Sequence, residues 1–495
     1  MAESRSGRRT REFLRATMRS GLSAAHKKLG WGKGIRGFLA TLGMTSWVLI
    51  GGAQATGQEV PKAGAVTLEQ AVHSALQQNP AFRTNEDESD AARARLKQTQ
   101  SAWFPRFDFH QDFTRGNNPV YVFGTKLTQR QFSTADFALN SLNTPTPLDN
   151  FQTRLDGQWR LFDSGQTLFR QRAAKKLVTA ADFQTEQARQ DLILEVVRAY
   201  YGVLVLQENL KAADEAVKTA EASAQRMDTL HTAGLIVDSD LLSAKVFVAQ
   251  MKDRQIRARN DLALAEMQLA RLMGLAVDAP AQPLGSLTEP GAPAGSAQEW
   301  IQTALTQRPA LRAAELQENA MNDETKAAKS EFGPKVSLFG TTERDAMTLG
   351  GPSGTNWTAG ARLDFNLFAG GAEKARLAEA TANASKTKHN VEWFRSGIQM
   401  EVRKSFLDAE AAAQRTAAAR DAADQAKESL RIVQNRYEAG LTTVTELLRV
   451  ETAQLDARTG YLGALQDWQV ARAQLERAAG VLTPESKLIT EAGKP

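Results

Sequence analysis

Two stretches of this chain alternate with a period of two. Phe151, Leu155, Trp159 and Leu161 are apolar, and Gln152, Arg154, Asp156, Gln158 and Arg160 stand between them. Trp357, Ala359, Ala361, Leu363, Phe365 and Leu367 alternate in the same way with Thr358, Arg362, Asp364 and Asn366. That spacing puts each set on its own side of a β-strand, so both segments predict strands with one greasy face and one charged face. From Gln166 to about Leu230, and again from Ala372 to about Arg436, the chain is instead rich in Ala, Gln, Lys and Glu and free of proline. Sixty-five residues of helix would extend roughly 98 Å at 1.5 Å per residue. A rod of that length needs partners along it.

The remaining elements fall around these. Thr67-Leu-Glu-Gln70 fits a capping box and starts a helix expected to run to about Ala102. Strands are expected at about 104–114 and 150–162, a long helix at 166–231 and a shorter one at 239–274. A second series has a helix from 298, strands at about 334–345 and 357–368, a long helix at 371–437 and a shorter one at 444–479. Two shorter helices stacked end to end match one long helix.

The two series repeat in sequence. Ala75-Leu-Gln-Gln-Asn-Pro-Ala-Phe-Arg83 returns as Ala304-Leu-Thr-Gln-Arg-Pro-Ala-Leu-Arg312, and Trp103-Phe-Pro105 as Phe332-Gly-Pro334. Leu161-Phe162 and Gly165 return as Leu367-Phe368 and Gly371, and Ala233-Gly-Leu235 as Ala439-Gly-Leu441. The first pair is offset by 229 positions and the second by 206, so the chain reads as a tandem duplication (56–276 and 298–480). The first copy carries 23 extra residues between about Phe113 and Phe151, where a surface loop absorbs them. Residues 277–297, rich in Pro and Gly, form the linker, and 481–495 a tail.

Charge changes the picture only at the start. The first 37 residues hold ten of the 61 Lys/Arg and two of the 56 acids, and an apolar run from Phe38 to Ile50 leads to Ala53-Gln54-Ala55. This reads as a secretory signal peptide over 1–55. The alternative, a membrane anchor, has too short a run to span a bilayer comfortably. Without the leader 51 Lys/Arg face 54 acids, so the basicity belongs to targeting and gives no reason to expect nucleic acid. The absence of Cys excludes a disulfide framework, a thiolate metal site and a cysteine lipid anchor. The most apolar later segment, Leu192 to Leu206, is broken by Glu195, Arg198 and Gly202, so any membrane passage must use a β-barrel.

Four strands cannot close a barrel, and an open sheet in lipid would leave unpaired edges, so closure requires oligomerisation. Three copies would supply twelve strands above a hollow helical cylinder. Trp103, Phe104, Phe162, Phe332 and Phe368 border the strand pairs. They suit a membrane-interface girdle or, alternatively, ordinary packing at strand ends.

Leu68-Glu-Gln-Ala-Val with Asn79-Pro80, the two strand pairs and the turns Ala233-Gly-Leu235 and Tyr437-Glu-Ala-Gly-Leu441, in duplicated order, resemble the TolC family of outer-membrane efflux proteins. The resemblance implies a mainly α fold with a β-barrel part: a homotrimer whose twelve-stranded transmembrane barrel stands in the Gram-negative outer membrane on a coiled-coil tunnel crossing the periplasm. It implies an exit duct of an efflux or type I secretion system, with a periplasmic adaptor and an inner-membrane pump as partners and no cofactor. The turns Ala233, Gly234, Leu235 and Ala439, Gly440, Leu441 would be the tips that meet the adaptor, although glycine also simply caps long helices.

Six residues beyond each glycine stands an acid, Asp240 and Glu446, preceded by Ser239 and Thr445. Helix-start chemistry, a hydroxyl cap followed by an acid, is one reading. The other is implied by the family, where Asp240 matches an acid tied to a tyrosine at the position of Tyr437, closing the tunnel. The family's best-known member has arginine at the position of Thr442 and an acid at that of Arg449. One locking contact and one carboxylate of its cation-selective constriction are therefore missing here.

An enzyme is not expected. Past the leader there are four histidines (His73, His110, His231, His389), with no HExxH, no Gly-x-Ser-x-Gly and no phosphate loop. The competing structural reading, a periplasmic coiled-coil scaffold or adhesin stalk, explains the helices but not the matched strand pairs.

Overall fold

The computed structural model describes residues 65–491 apart from 235, 280, 288–290 and 292. The basic leader, its apolar run and the Ala55 cleavage point lie outside the described residues. The described elements run in the order β1 (Ala65–Val66), α1 (Leu68–Gln78), α2 (Pro80–Ser101), β2 (Arg106–Gly116), α3 (Pro119–Thr128) and α4 (Leu139–Asn143). Then come β3 (Leu148–Phe162), α5 (Gln166–Thr232), α6 (Asp238–Leu272), β4 (Gln282–Pro283), α7 (Ala297–Gln307) and α8 (Pro309–Ser330). The series ends with β5 (Lys335–Ala346), β6 (Ser353–Asp364), α9 (Ala372–Glu438), α10 (Val444–Ala478) and α11 (Lys487–Thr490).

The helix expected to run unbroken from Thr67 to Ala102 is divided. Thr67 closes its capping box with Gln70, but Pro80 forces Asn79 into an extended conformation (φ −67°, ψ 117°) and α1 stops there. The Asn79 Oδ1 then accepts from the amides of Ala81 (2.8 Å) and Phe82 (3.2 Å), starting α2 with proline in its first turn. Pro309 likewise holds Arg308 extended (φ −61°, ψ 119°) and divides α7 from α8, here without a side-chain cap. At both breaks the side chain before proline also reaches a helix-end carbonyl: Asn79 Nδ2 donates to Leu272 O (2.8 Å) and Arg308 Nη1 to Ala478 O (3.1 Å).

Helices α5 and α9 each run 67 residues, and α6 and α10 each run 35. The central rod, α5, packs on α2, α6, α8 and α10, and α9 packs on α10 and α8. Alanines at buried positions, among them Ala173, Ala180, Ala212 and Ala220, let the rods approach closely. The densest core lies midway along α5, where Ile193, Val196, Val197, Tyr200 and Val203 meet Leu68 and Val72 of α1, Leu269 of α6 and Ile489 of α11. In the linker, β4 pairs in parallel with β1 (Ala65↔Gln282). The hydroxyl of Tyr200 fastens the pair from below, donating to the carbonyls of Val66 (3.1 Å) and Leu284.

The four long strands form one antiparallel sheet in the order β2-β3-β5-β6, leaving β2 and β6 as its edges. Strand β6 begins at Ser353 and stops at Asp364, earlier than the expected 357–368. Its partner β5 starts at Lys335, opposite Asp364, and Pro334 before it has no amide to extend the ladder. The extra residues of the first half fold rather than merely loop. Asn118 caps α3 through the amide of Val120 (3.0 Å), and Gln129, at its C-terminal end, donates to Asn150 Oδ1 (2.9 Å) on β3. Asn150 donates in turn to Asp345 on β5 (2.7 Å).

Candidate functional site

Two parts of the molecule carry the chemistry implied by the sequence: the sheet at one end of the rods and the helix turns at the other. In the sheet, register assigns every side chain to a face. Phe107↔Gly157, Phe109↔Leu155, Trp159↔Leu338, Leu338↔Ala361 and Thr342↔Trp357 put the large apolar groups together. Phe107 and Phe109 are each 67% exposed, Leu363 68% and Trp357 78%, so among the described residues nothing covers this greasy face. The opposite face is polar and cross-linked: Asp156 accepts from Thr341 (2.7 Å) and Arg154 (2.9 Å) and lies 3.5 Å from His110.

The five border aromatics all stand where strands meet helices, at one end of the sheet. Trp103 and Phe104 lie between α2 and β2, Phe162 ends β3, Phe332 precedes β5 and Phe368 follows β6. All are exposed, Phe368 to 86%, rather than buried in a strand-end core. Trp103 is held in place by its indole donating to Gln171 (2.9 Å) and its carbonyl accepting from the Trp159 indole (2.9 Å).

At the other end α5 and α9 stop at Gly234 (φ 75°) and Gly440 (φ 70°), both left-handed, a conformation that glycine adopts without a Cβ penalty. Ala233 and Ala439 are the C-cap residues. Leu441 N donates to Arg436 O (2.8 Å) and Gly440 N to Tyr437 O (3.0 Å), the paired bonds of a Schellman turn. Leu441 is exposed, Thr442 is half-buried in the turn, and Leu235 lies outside the described residues.

The hydroxyl cap expected just before each acid is corrected. Ser239 and Thr445 are inside their helices; α6 is preceded by Val237, which offers no side-chain cap, and α10 is capped by Thr443, whose Oγ1 accepts from Glu446 N (3.3 Å). Both acids are therefore third-position residues of their helices, where the exposed amides and macrodipole favour negative charge. The Thr443-x-x-Glu446 spacing is the sequence signal for that cap.

The turns from the two halves pack on each other. Met227, 1% exposed, is surrounded by Leu241, Ala244 and Val444, with Tyr437 against the edge. Arg226 on α5 reaches Glu438 on α9 (3.2 Å). Asp240 on α6 and Tyr437 on α9 are thus brought together from separate hairpins. Burial, reinforced by the Asp240 charge, raises the tyrosine pKa, and Arg226 works against the rise. Glu446 and Arg449 instead pair with each other, at 2.6 and 2.9 Å. That pairing holds the Glu446 carboxyl below the usual range. Sequence reasoning missed one group: Glu451 on α10, 9% exposed, whose pKa burial pushes up to about 7.

No helix among the described residues is long and apolar enough to cross a membrane. The protein is similar over most of its length to known channels. The alkaline protease secretion protein AprF of Pseudomonas aeruginosa shares 25% identity over 83% of each chain. Protein CyaE of Bordetella pertussis shares 28%, over 66% of this chain and 69% of that one. The fold matches the Campylobacter jejuni CmeC outer membrane channel with a TM-score of 0.71 at 18% identity, over 88% of this chain and 93% of that one. The model of the outer membrane efflux protein family matches residues 71–275 and 300–481, and the chain belongs to that family.

Proposed function

We propose that three copies of this chain close into an exit duct, with the β2-β3-β5-β6 sheets forming one twelve-stranded barrel in the outer membrane and the rods forming a tunnel through the periplasm. The observation that carries this reading is the sheet itself. It has an uncovered apolar face, a hydrogen-bonded polar face and two unpaired edges. In lipid an unpaired edge costs several kcal/mol per backbone group, about what a buried polar group loses without a partner, so closure by neighbouring copies is the stable solution. Equal lengths of the paired rods and the matched Asn79 and Arg308 breaks support descent by tandem duplication, with halves at 56–276 and 298–480 joined by 277–297.

As a passive duct the protein depends on partners for energy. The turns at Gly234 and Gly440 are the surfaces offered to a periplasmic adaptor, which joins the duct to an inner-membrane pump. Relatives named for secretion, such as AprF, fit that arrangement. The proximity of the Asp240 charge to Tyr437, repeated three times around an axis, is the proposed restraint that keeps the tip narrow. Trp103, Phe104, Phe162, Phe332 and Phe368 anchor the barrel at its periplasmic interface.

Single-channel recording in planar bilayers tests this. The wild-type protein should give a small, quiet conductance that rises in Asp240→Ala and in Tyr437→Phe. Well-folded trimers that conduct in none of the three forms would refute the duct and favour a scaffold.

A further inference from the structure

The polar face of the sheet is not uniformly charged. Ion pairs within it join Arg106 to Asp108 (2.8 Å) and Arg154 to Asp156 (2.9 Å). Cross-strand register sorts the charges that remain by height. Arg160, Ser337 and Arg362 occupy one row and Lys335 and Asp364 the next, beside the helices. At the far end Asp112, Gln152 and Asp345 share a row, one step beyond the row of Glu343. Among the described residues none of these seven charged groups has an ion-pair partner; Arg362 instead lies 5.3 Å from the Phe339 ring, and Asp345 and Glu343 accept only amide donors. Each protomer therefore presents three cations and one acid near the rods and two accessible carboxylates, Asp112 and Glu343, near the opposite rim, where Asp345 is buried against Asn150 and Gln152.

Resting on the barrel reading above, we propose that this face is a two-zone electrostatic filter, a basic collar where the tunnel enters the barrel and an acidic collar at the outer mouth. Eight residues of β5 separate Ser337 from Asp345, about 27 Å along the strand and about 20 Å along the axis of a tilted barrel. The screening length at physiological salt is about 8 Å, so the collars act in series instead of cancelling. Anions rising from the tunnel meet attraction first, and cations entering from outside meet it at the mouth. With the mouth side positive both carriers are drawn into the zone that concentrates them, and with reversed polarity both are depleted. Current is therefore larger with the mouth positive.

The tip is untouched by substitutions in the sheet, so charge variants isolate the effect. In oriented bilayers at about 0.1 M KCl the wild-type current at equal and opposite voltages should differ by about twofold, as collars stronger than the screened background require. Arg160→Gln with Arg362→Gln should bring the ratio toward one and move the zero-current potential in a salt gradient toward cation preference. Asp112→Asn with Glu343→Gln should also lower the ratio but move the potential toward anion preference. If one pair fails to assemble, Lys335→Gln repeats the basic arm alone. Conducting variants whose ratio and zero-current potential equal those of wild type overturn the filter and leave the duct standing. A wild-type trimer that never conducts overturns both.

Discussion

Arg449 holds Glu446 across one turn of α10, with Nη2 2.6 Å from Oε1 and Nε 2.9 Å from Oε2. The carboxylate at this tip position is therefore answered by a cation three residues on. It does not return to the amide of Thr443, as a capping box would require, because the guanidinium fork offers two charge-assisted bonds.

Removing the guanidinium should expose the charge. Arg449→Gln should move the zero-current potential toward cation preference, and Glu446→Gln, which leaves the Arg449 cation unanswered, should move it toward anion preference. The double variant, neutral at this position like the intact pair, should match wild type. Identical potentials for all four forms would mean that Glu446 does not face the conducting path.

Glu451 gives a pH dependence with a definite sign. It lies one turn from Leu448 and Leu455, which pack with Val217, Phe247 and Met251. Burial lifts its pKa from 4.5 to about 7. Between those values the folded chain keeps a proton that the unfolded chain has lost, so stability falls as pH rises from about 4.5 to about 7 and then levels off. The full loss is about 3 kcal/mol at most, at 1.36 kcal/mol per unit. Glu451→Gln should slow amide exchange around 444–460 at pH 8 and leave it nearly unchanged at pH 5. Equal protection of both proteins at both pH values would show that the carboxyl is not held protonated.

The rods, the strand faces and the turn glycines were legible in the sequence because each rests on a local period or a single conformational requirement. Alternation through Phe151 to Leu161 fixed which side of β3 is greasy, and Gly234 and Gly440 marked turns that need positive φ. The break at Asn79 was also written locally, in Pro80, but a strong helical pattern on both sides masked it. Glu451 was not legible. An acid among Ala, Leu and Arg on a long helix looks like surface until packing shows which stripe is covered. Nor could spacing show that the inserted segment seats Gln129 on Asn150, a contact set by how α3 returns over the strands.

The two proline breaks solve one problem with different residues, and a cycle of substitutions can compare them. Arg308 is buried, and its Nη2 meets Glu401 (2.7 Å), which also accepts from Arg477 (2.6 Å). Glu401→Gln leaves the Arg308 charge buried and should cost about 2–3 kcal/mol, below the full figure for a broken buried pair because Glu401 is partly in water. Adding Arg308→Asn, which restores the residue used at Asn79, should recover most of that loss. Denaturation of detergent-solubilised trimer measures both. A double variant less stable than Glu401→Gln would show that the arginine stem, not its charge, is what the break needs.

The seat of the inserted segment rests on a glycine for want of space. A Cβ built on Gly354 of β6 would stand 1.8 Å from the carbonyl oxygen of Thr128 and 3.1 Å from the Arg130 side chain. Backbone occupies the first of these positions, so rotamer changes cannot relieve it. Gly354→Ala must push α3 from the strand or shift β6. The sheet is held by two long ladders around β5, whereas the segment is tied down by Gln129, by Arg130 Nη2 donating to Thr355 O (2.8 Å) and by Asn356 donating to Thr128 O (3.3 Å). The segment should yield first. Trypsin added to intact trimer should then cleave after Lys126 or Arg130 several-fold faster than in wild type, by about the factor of ten that 1.4 kcal/mol of lost docking confers. Heat-modifiable mobility of the trimer should be unchanged. Unaltered cleavage would place the segment's anchor elsewhere, and loss of the trimer itself would show that β6 moved instead.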